Sequence, residues 1–219
     1  MKNCFLYFLV IAASGMPCFG ETNFVETKIE QEAAGEPSNI LYAKSYAIMG
    51  RGSLSVDEMA DWLTSANPEI DSDFARDFAA LYIHESALEG VNHDVAFSQM
   101  CLETGFLRFD RLVSQDMNNF GGLGAVNAMT PGERFATVGI GVRAQIQHLK
   151  AYGSTIPLTQ KLVDPRYGYV RYGSAPTIYE LSGKWAADTA YGEKLKSIID
   201  RAYFMAEKNS RPDVLTLNQ

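Results

Sequence analysis

Residues 91–106 read VNHDVAFSQMCLETGF, and this stretch sets the reading of the whole chain. Asn92 is a capping residue type and Gly105 a helix-stopping one, so a helix is predicted from about residue 93 to residue 104. That helix closes on an acid. The dipole leaves partial negative charge at a helix C-terminus, where cations are favoured, yet Glu103 stands in the last turn. With Leu102, Phe106 and Phe109 nearby, dipole and desolvation both push its pKa upward, which suits a general acid working near neutral pH. The plainer reading is an exposed glutamate tolerating a cost of about 0.3 to 1 kcal/mol. Its surroundings must decide.

Upstream, Ser55 with Glu58 three residues later is a capping box that opens a helix through Trp62 and Leu63, ended by Asn67-Pro68. An amphipathic run over about residues 73–88 sets Phe74, Phe78, Leu81, Tyr82 and Leu88 at helical spacing, and Gly90 stops it. Downstream, residues 106–131 are rich in Asn and Gly and lack a helical period. They read as a long loop or a short hairpin, and loops of this length tend to be functional. A helix resumes over about 137–152 with Val138, Val142, Ile146 and Leu149 as its buried stripe. Residues 153–176 form an irregular, aromatic-rich connection. Thr177 with Glu180 then resembles another capping box, before a short helix to Trp185. A last helix over about 188–208 buries Tyr191, Leu195, Ile198, Ile199, Ala202 and Met205. Nothing repeats and strand signals are few, so the fold class is mainly α.

The 219 residues, 47% hydrophobic and 21% charged, suffice for one domain with a real core. Lys2, the apolar run over residues 5–13 and Gly20 have the layout of a secretory signal peptide over residues 1–20. A spanning helix needs about 20 apolar residues, and Ser14, Gly15 and Pro17 interrupt this one. Residues 21–38 are a polar, acidic spacer, 39–208 the folded domain and 209–219 a tail. The protein is therefore expected to be exported, to the periplasm, the cell envelope or the medium, and to be a monomer. Losing the leader removes one lysine and no acid, taking the net charge from −7 to −8, which argues against a nucleic-acid partner. Cys4 and Cys18 fall in the leader, so the mature chain keeps Cys101 alone and forms no internal disulfide. Cys18 as a lipid acceptor would be the one link to a membrane. Scattered histidines and a single mature cysteine give no metal-ligand spacing, and no cofactor is expected.

Gln99 shares a helix face with Glu103 and can hold its carboxyl or a ligand group. The loop after this helix carries Asn118, Asn119, Phe120, Gly121 and Gly122, whose paired amides and glycines can bring donors near a polar ligand. Together with Tyr191 opening the final helix, these segments resemble the glucosaminidase domain family over roughly residues 73–205. That family includes endo-β-N-acetylglucosaminidases of glycoside hydrolase family 73 type and flagellar peptidoglycan hydrolases. The resemblance implies a lysozyme-like α-domain with a small loop or hairpin lobe beside a substrate groove. It implies hydrolysis of β-1,4 bonds in peptidoglycan or another glycan containing N-acetylglucosamine. Glu103 falls on the family's catalytic glutamate and Tyr191 on its active-site tyrosine, while Asn118, Asn119 and Phe120 fall on its substrate-cleft motif. Trp185, with Tyr167, Tyr169 and Tyr172, can stack on sugar faces.

The chain departs from the family at the second acid. The helix start where many members carry one reads Val138-Gly139-Ile140-Gly141-Val142, leaving Asp110, Asp116 and Glu133 in the loop as candidates. A retaining enzyme with a protein nucleophile needs carboxyls about 5 to 5.5 Å apart. What remains is attack by the substrate's own acetamido oxygen, or by a water held by a loop acid, with Glu103 protonating the leaving oxygen. Tyr191 would orient the acetamido group or face the developing positive charge. Other readings are a muramidase or transglycosylase of the same fold, a glycan-binding module without turnover, and a thiol enzyme using Cys101 with His148, His93 or His84. A buried, inert Cys101 is favoured over the last. Glu85 and Glu89, four apart, read as a solvated helix edge, while Arg143, Gln147 and Lys150 are candidates to touch peptide-stem carboxylates.

Overall fold

The computed structural model describes residues 44–109, 112–127 and 129–210. The signal-peptide, spacer and tail readings, Cys4, Cys18 and Asp110 lie outside the described residues.

Among the described residues five α-helices carry the fold: α1 (Val56–Ala66), α2 (Ser72–Glu89), α3 (His93–Thr104), α4 (Val138–Gly153) and α5 (Tyr191–Ser210). Among the described residues β-structure is limited to isolated bridges, and no helix is long and apolar enough to cross a membrane. The helices start where side chains satisfy their orphan amides. Ser55 and Glu58 close a full capping box on α1, Asp71 and Asn92 cap α2 and α3, and Thr137 caps α4. Gly90 and Gly105 end α2 and α3 in the left-handed conformation that glycine adopts without penalty.

α3 runs through the middle, against α2, α4 and α5. Every residue from His93 through Cys101 is buried, as a helix enclosed on all faces must be. Its apolar members, Phe97 foremost, join Trp62, Phe78 and Tyr82 in an aromatic cluster, edge-on to Tyr82 and tilted against the other two rings. Several of its polar members hold specific partners, although the buried Ser98 hydroxyl has none among the described residues. Asp94 accepts from the Ser53 and Leu54 amides at 2.7 and 3.2 Å and from the Tyr203 hydroxyl at 2.6 Å, tying the N-terminal segment and α5 to α3. Gly52 permits that approach, since a Cβ there would lie 2.4 Å from Asp94 Oδ1.

The structure corrects several expectations. The helix foreseen up to Trp185 is one 3-10 turn, Ile178–Leu181. Its Thr177–Glu180 box forms, but Gly183 at φ +73° turns the chain away. The final helix starts at Tyr191, not near 188, because the Asp188 side chain takes the Ala190 amide in a turn that leads into it. Of the two readings of residues 106–131, the long loop holds: its described residues carry a 3-10 turn, Gln115–Met117, and a single Asn127–Thr130 bridge instead of paired strands. Positive φ at Asn118, Gly122 and Gly124 breaks the extended backbone that a hairpin needs.

Glu85 and Glu89 are not a solvated edge. They are 3% and 2% exposed, because α4 packs on that face of α2 and sets basic residues opposite. Arg143 grips Glu85 with two bonds of 3.0 and 2.9 Å. Lys150 meets Glu89 at 2.8 Å, and the Thr159 and Gln160 amides complete that carboxylate. Gln147 is spent on the backbone of residues 161, 163 and 164. Arg143, Gln147 and Lys150 are thus committed to the fold instead of to a ligand.

Candidate active site

Glu103 sits half-buried in the last turn of α3, and the backbone just beyond that turn is strained. Phe106, Leu107 and Phe109 all adopt positive φ, between 53° and 62°. Such residues persist only where surrounding contacts over-determine them, and they cluster at functional sites. The contacts are present. Thr104 Oγ1 accepts from the Leu107 amide at 2.9 Å, Asn67 donates to the Phe106 carbonyl at 2.8 Å, and Phe106 packs edge-on against Trp62.

A buried chain of hydrogen bonds ends on the Glu103 carboxyl. The Tyr82 hydroxyl donates to Gln145 Oε1 at 2.6 Å, and Gln145 Nε2 donates to Gln99 Oε1 at 2.9 Å. Gln99 Nε2 donates to the Tyr191 hydroxyl at 3.0 Å, and Tyr191 donates to Glu103 Oε1 at 2.6 Å. Each bond points the same way, so Tyr191, which accepts from an amide N–H, has its proton directed at the carboxyl. Burial first, then the charge and hydrogen bond of Glu103, hold the Tyr191 phenol well above its ordinary range. Tyr191 is therefore a fixed donor at any working pH. Trp185 Nε1 adds a second donor to the same oxygen at 3.0 Å. Oε2 is turned to the loop, 3.2 Å from the position a Cβ on Gly122 would take.

The expected site residues divide into two groups. Gln99, Glu103, Tyr191 and Trp185 come together. Gln99, however, is wholly buried and acts on Tyr191, and Trp185 reaches Glu103 through its indole N–H. Asn119 is also wholly buried, and its amide is used up inside the loop: it donates to the Leu123 and Glu133 carbonyls and accepts from the Leu123 amide. Asn118 donates to the Phe135 carbonyl. Phe120 lies in the core against Phe78, with its edge and Asn118 lining a separate hollow of about 330 Å³. In this structure Asn118, Asn119 and Phe120 shape the loop and the core beneath it. Their amides and ring look like ligand donors in sequence because nothing local says which way they face.

Of the loop acids, Asp116 is exposed and paired with Ser114 and Arg134, whose hydrogen bonds lower its carboxyl. Glu133 is closer to the site's wall. Its Oε1 lies 3.1 Å from the position of a Cβ on Gly124, two residues from the glycine that Glu103 abuts. Cys101 is buried among apolar neighbours, and burial drives its thiol well above the ordinary range, which leaves it inert. Among the described residues no group of three or more His, Cys, Asp or Glu side chains is placed to hold a metal ion.

The sequence profile for glucosaminidase, described as mannosyl-glycoprotein endo-β-N-acetylglucosaminidase, matches residues 79–204, more than half of the 219-residue chain. The chain belongs to the glucosaminidase family. The matched span runs from α2 to α5 and contains Glu103, Gln145, Trp185 and Tyr191. An uncharacterized protein of Borreliella burgdorferi is 45% identical over 152 residues, covering 69% of this chain and 74% of that protein. No solved structure matches. The mainly helical fold is that of a lysozyme-like α-domain, and the family is one of glycoside hydrolases whose substrates are glycans such as peptidoglycan.

Proposed function

We propose that this glucosaminidase-family protein is an endo-β-N-acetylglucosaminidase that hydrolyses the β-1,4 bond following N-acetylglucosamine in peptidoglycan, with Glu103 as its general acid. The observation that carries this reading is the pair of donors, Tyr191 and Trp185, converging on a single oxygen of a half-buried, helix-terminal glutamate. With Oε1 accepting both, a proton on this carboxyl resides on Oε2, the oxygen turned to the glycine loop. Delivering it to the glycosidic oxygen leaves a carboxylate that Tyr191 and Trp185 already stabilise, with no reorganisation at the moment of reaction.

We assign the opposite role to Glu133. The stretch over residues 122–124 carries one glutamate against each end, which suits a base holding water better than a nucleophile in contact with the sugar. Water attack would invert the anomeric centre. Retention, read by NMR of the first product, would instead assign the attack to the substrate's own acetamido oxygen. Residues 1–20 support export to the compartment where such a glycan lies, and sequencing the mature N-terminus from cell fractions tests this.

The functional test is reducing-end release from purified peptidoglycan by wild type and Glu103→Gln, with products identified by mass spectrometry. N-acetylglucosamine at the new reducing end, and a loss of at least about a hundredfold in the variant, are expected for a lost general acid. Muramic acid at that end would make the enzyme a muramidase. Binding without release would make it a glycan-binding module.

A further inference from the structure

Beyond Trp185 the wall of the site continues into two adjoining hollows. One, of about 220 Å³, is lined by residues 121–126 of the glycine loop, Trp185, His148, Arg166 and Lys184. The next, of about 500 Å³, shares Tyr152, Tyr169, Val170 and Lys184 with it and adds Arg171 and Tyr172. Trp185, which donates to Glu103, and Gly122, toward which Glu103 Oε2 is turned, place the first hollow beside the acid.

The charge of this lining is opposite to that of the protein. The chain carries 26 acidic against 19 basic residues, yet the two linings hold two arginines, a lysine and a histidine and no acid. The side chains are also set in place. Asp164, 1% exposed, takes His148 Nδ1 at 2.7 Å and the Arg166 amide at 2.8 Å. That leaves His148 Nε2 as the ring nitrogen directed away from Asp164, with the ring edge-on to Trp185 at 5.0 Å. The Arg166 guanidinium lies 5.0 Å over the Tyr169 ring, and its nearest acid is Glu133 at a loose 3.9 Å. Lys184 donates to the Ser174 carbonyl, and Arg171 is exposed.

We propose that this cationic, aromatic-walled extension binds the carboxylates of the peptide stems carried by the glycan strand. The proposal rests on the glycosidase reading, which puts that strand at Glu103. The sugar backbone of amide-substituted peptidoglycan is neutral, so the anions reaching such a groove are those of the stems. Arginine forks pair with carboxylates bidentately, and the tyrosine faces cover apolar stem atoms. Net repulsion between an acidic protein and an acidic polymer makes a local cluster necessary for such binding.

The test measures co-sedimentation of the Glu103→Gln protein with two preparations of the same cell-wall sacculi. One has free stem carboxylates; in the other, carbodiimide and ammonia have converted them to carboxamides. Free-carboxylate sacculi should bind on the order of tenfold more tightly, the worth of one or two charged hydrogen bonds, and added salt should erode the difference. Adding Arg166→Gln and Arg171→Gln should remove the preference while binding of neutral chitooligosaccharides stays the same; Arg171→Gln alone, at an exposed side chain, should weaken it without risk to folding. Equal or tighter binding of the amidated sacculi overturns the proposal, as does a double variant that keeps the preference. A preference that persists in a protein whose wild type releases no reducing ends overturns the glycosidase reading alone.

Discussion

Glu89 and Glu103 are both held by the protein, and they are held differently. Glu89, 2% exposed between α2 and α4, is met by the Lys150 ammonium and two backbone amides, which occupy both of its oxygens. Glu103, half-buried at the end of α3, receives a phenol and an indole on one oxygen and turns the other to the glycine loop. A cation matched to a carboxylate fixes it in the ionised form and closes the site. The neutral phenol and indole on Glu103 orient the carboxyl and stabilise it as its charge develops. Burial alone does not mark a functional acid; the identity and direction of its donors do.

That contrast can be broken in graded ways. The largest effect should come from Lys150→Ala, which strands a buried carboxylate. About 3 to 5 kcal/mol of stability should be lost, read by urea unfolding, with turnover per folded molecule unchanged. Next is Tyr191→Phe, which removes one donor from Glu103 Oε1. Turnover should fall on the order of a hundredfold, with KM little changed, in steady-state release of reducing ends. Gln145→Leu should cost about 1 to 3 kcal/mol, because it leaves the Tyr82 hydroxyl and the Gln99 carbonyl without partners. It should also slow turnover on the order of tenfold, since Gln99 is then no longer held in the orientation that directs the Tyr191 proton. A Gln145→Leu enzyme as fast as wild type would limit the relay to a structural role.

The smallest effect concerns pH. Burial alone would raise Glu85, but the hydrogen bonds from Arg143 and Gln160 outweigh it and pull the carboxyl below its ordinary 4.5. A depressed carboxyl contributes stability that is complete above the unfolded-state value and disappears as pH falls through the folded one. The difference in melting temperature between wild type and Glu85→Gln should therefore be flat from neutral pH down to about 5 and shrink below 4.5.

Much of this is readable from the chain. α3 announces itself by Asn92, Gly105 and the residues between them, and Glu103 by a charge of the wrong sign for a helix end. Tyr191 is visible only through the family resemblance, since an aromatic opening an amphipathic stripe looks like core. Gln145 escapes a sequence reading. Its one signal is an amide beside the apolar stripe of Val142, Ile146 and Leu149, and its partners lie 46 and 63 residues away. Glu85 and Glu89 mislead for a related reason: an i,i+4 acid pair looks solvated until the helix that covers it is known to bring Arg143 and Lys150. Local pattern fixes caps and periods; the direction of a buried polar side chain depends on what packs against it.

The most direct measurement sets Glu103→Gln beside Glu89→Gln, with reducing-end release and thermal unfolding recorded for both. The account predicts that Glu103→Gln keeps the wild-type melting temperature and loses turnover by about a hundredfold or more, whereas Glu89→Gln melts earlier and cuts peptidoglycan at close to the wild-type rate while folded. A Glu103→Gln protein that cuts as fast as wild type would contradict it.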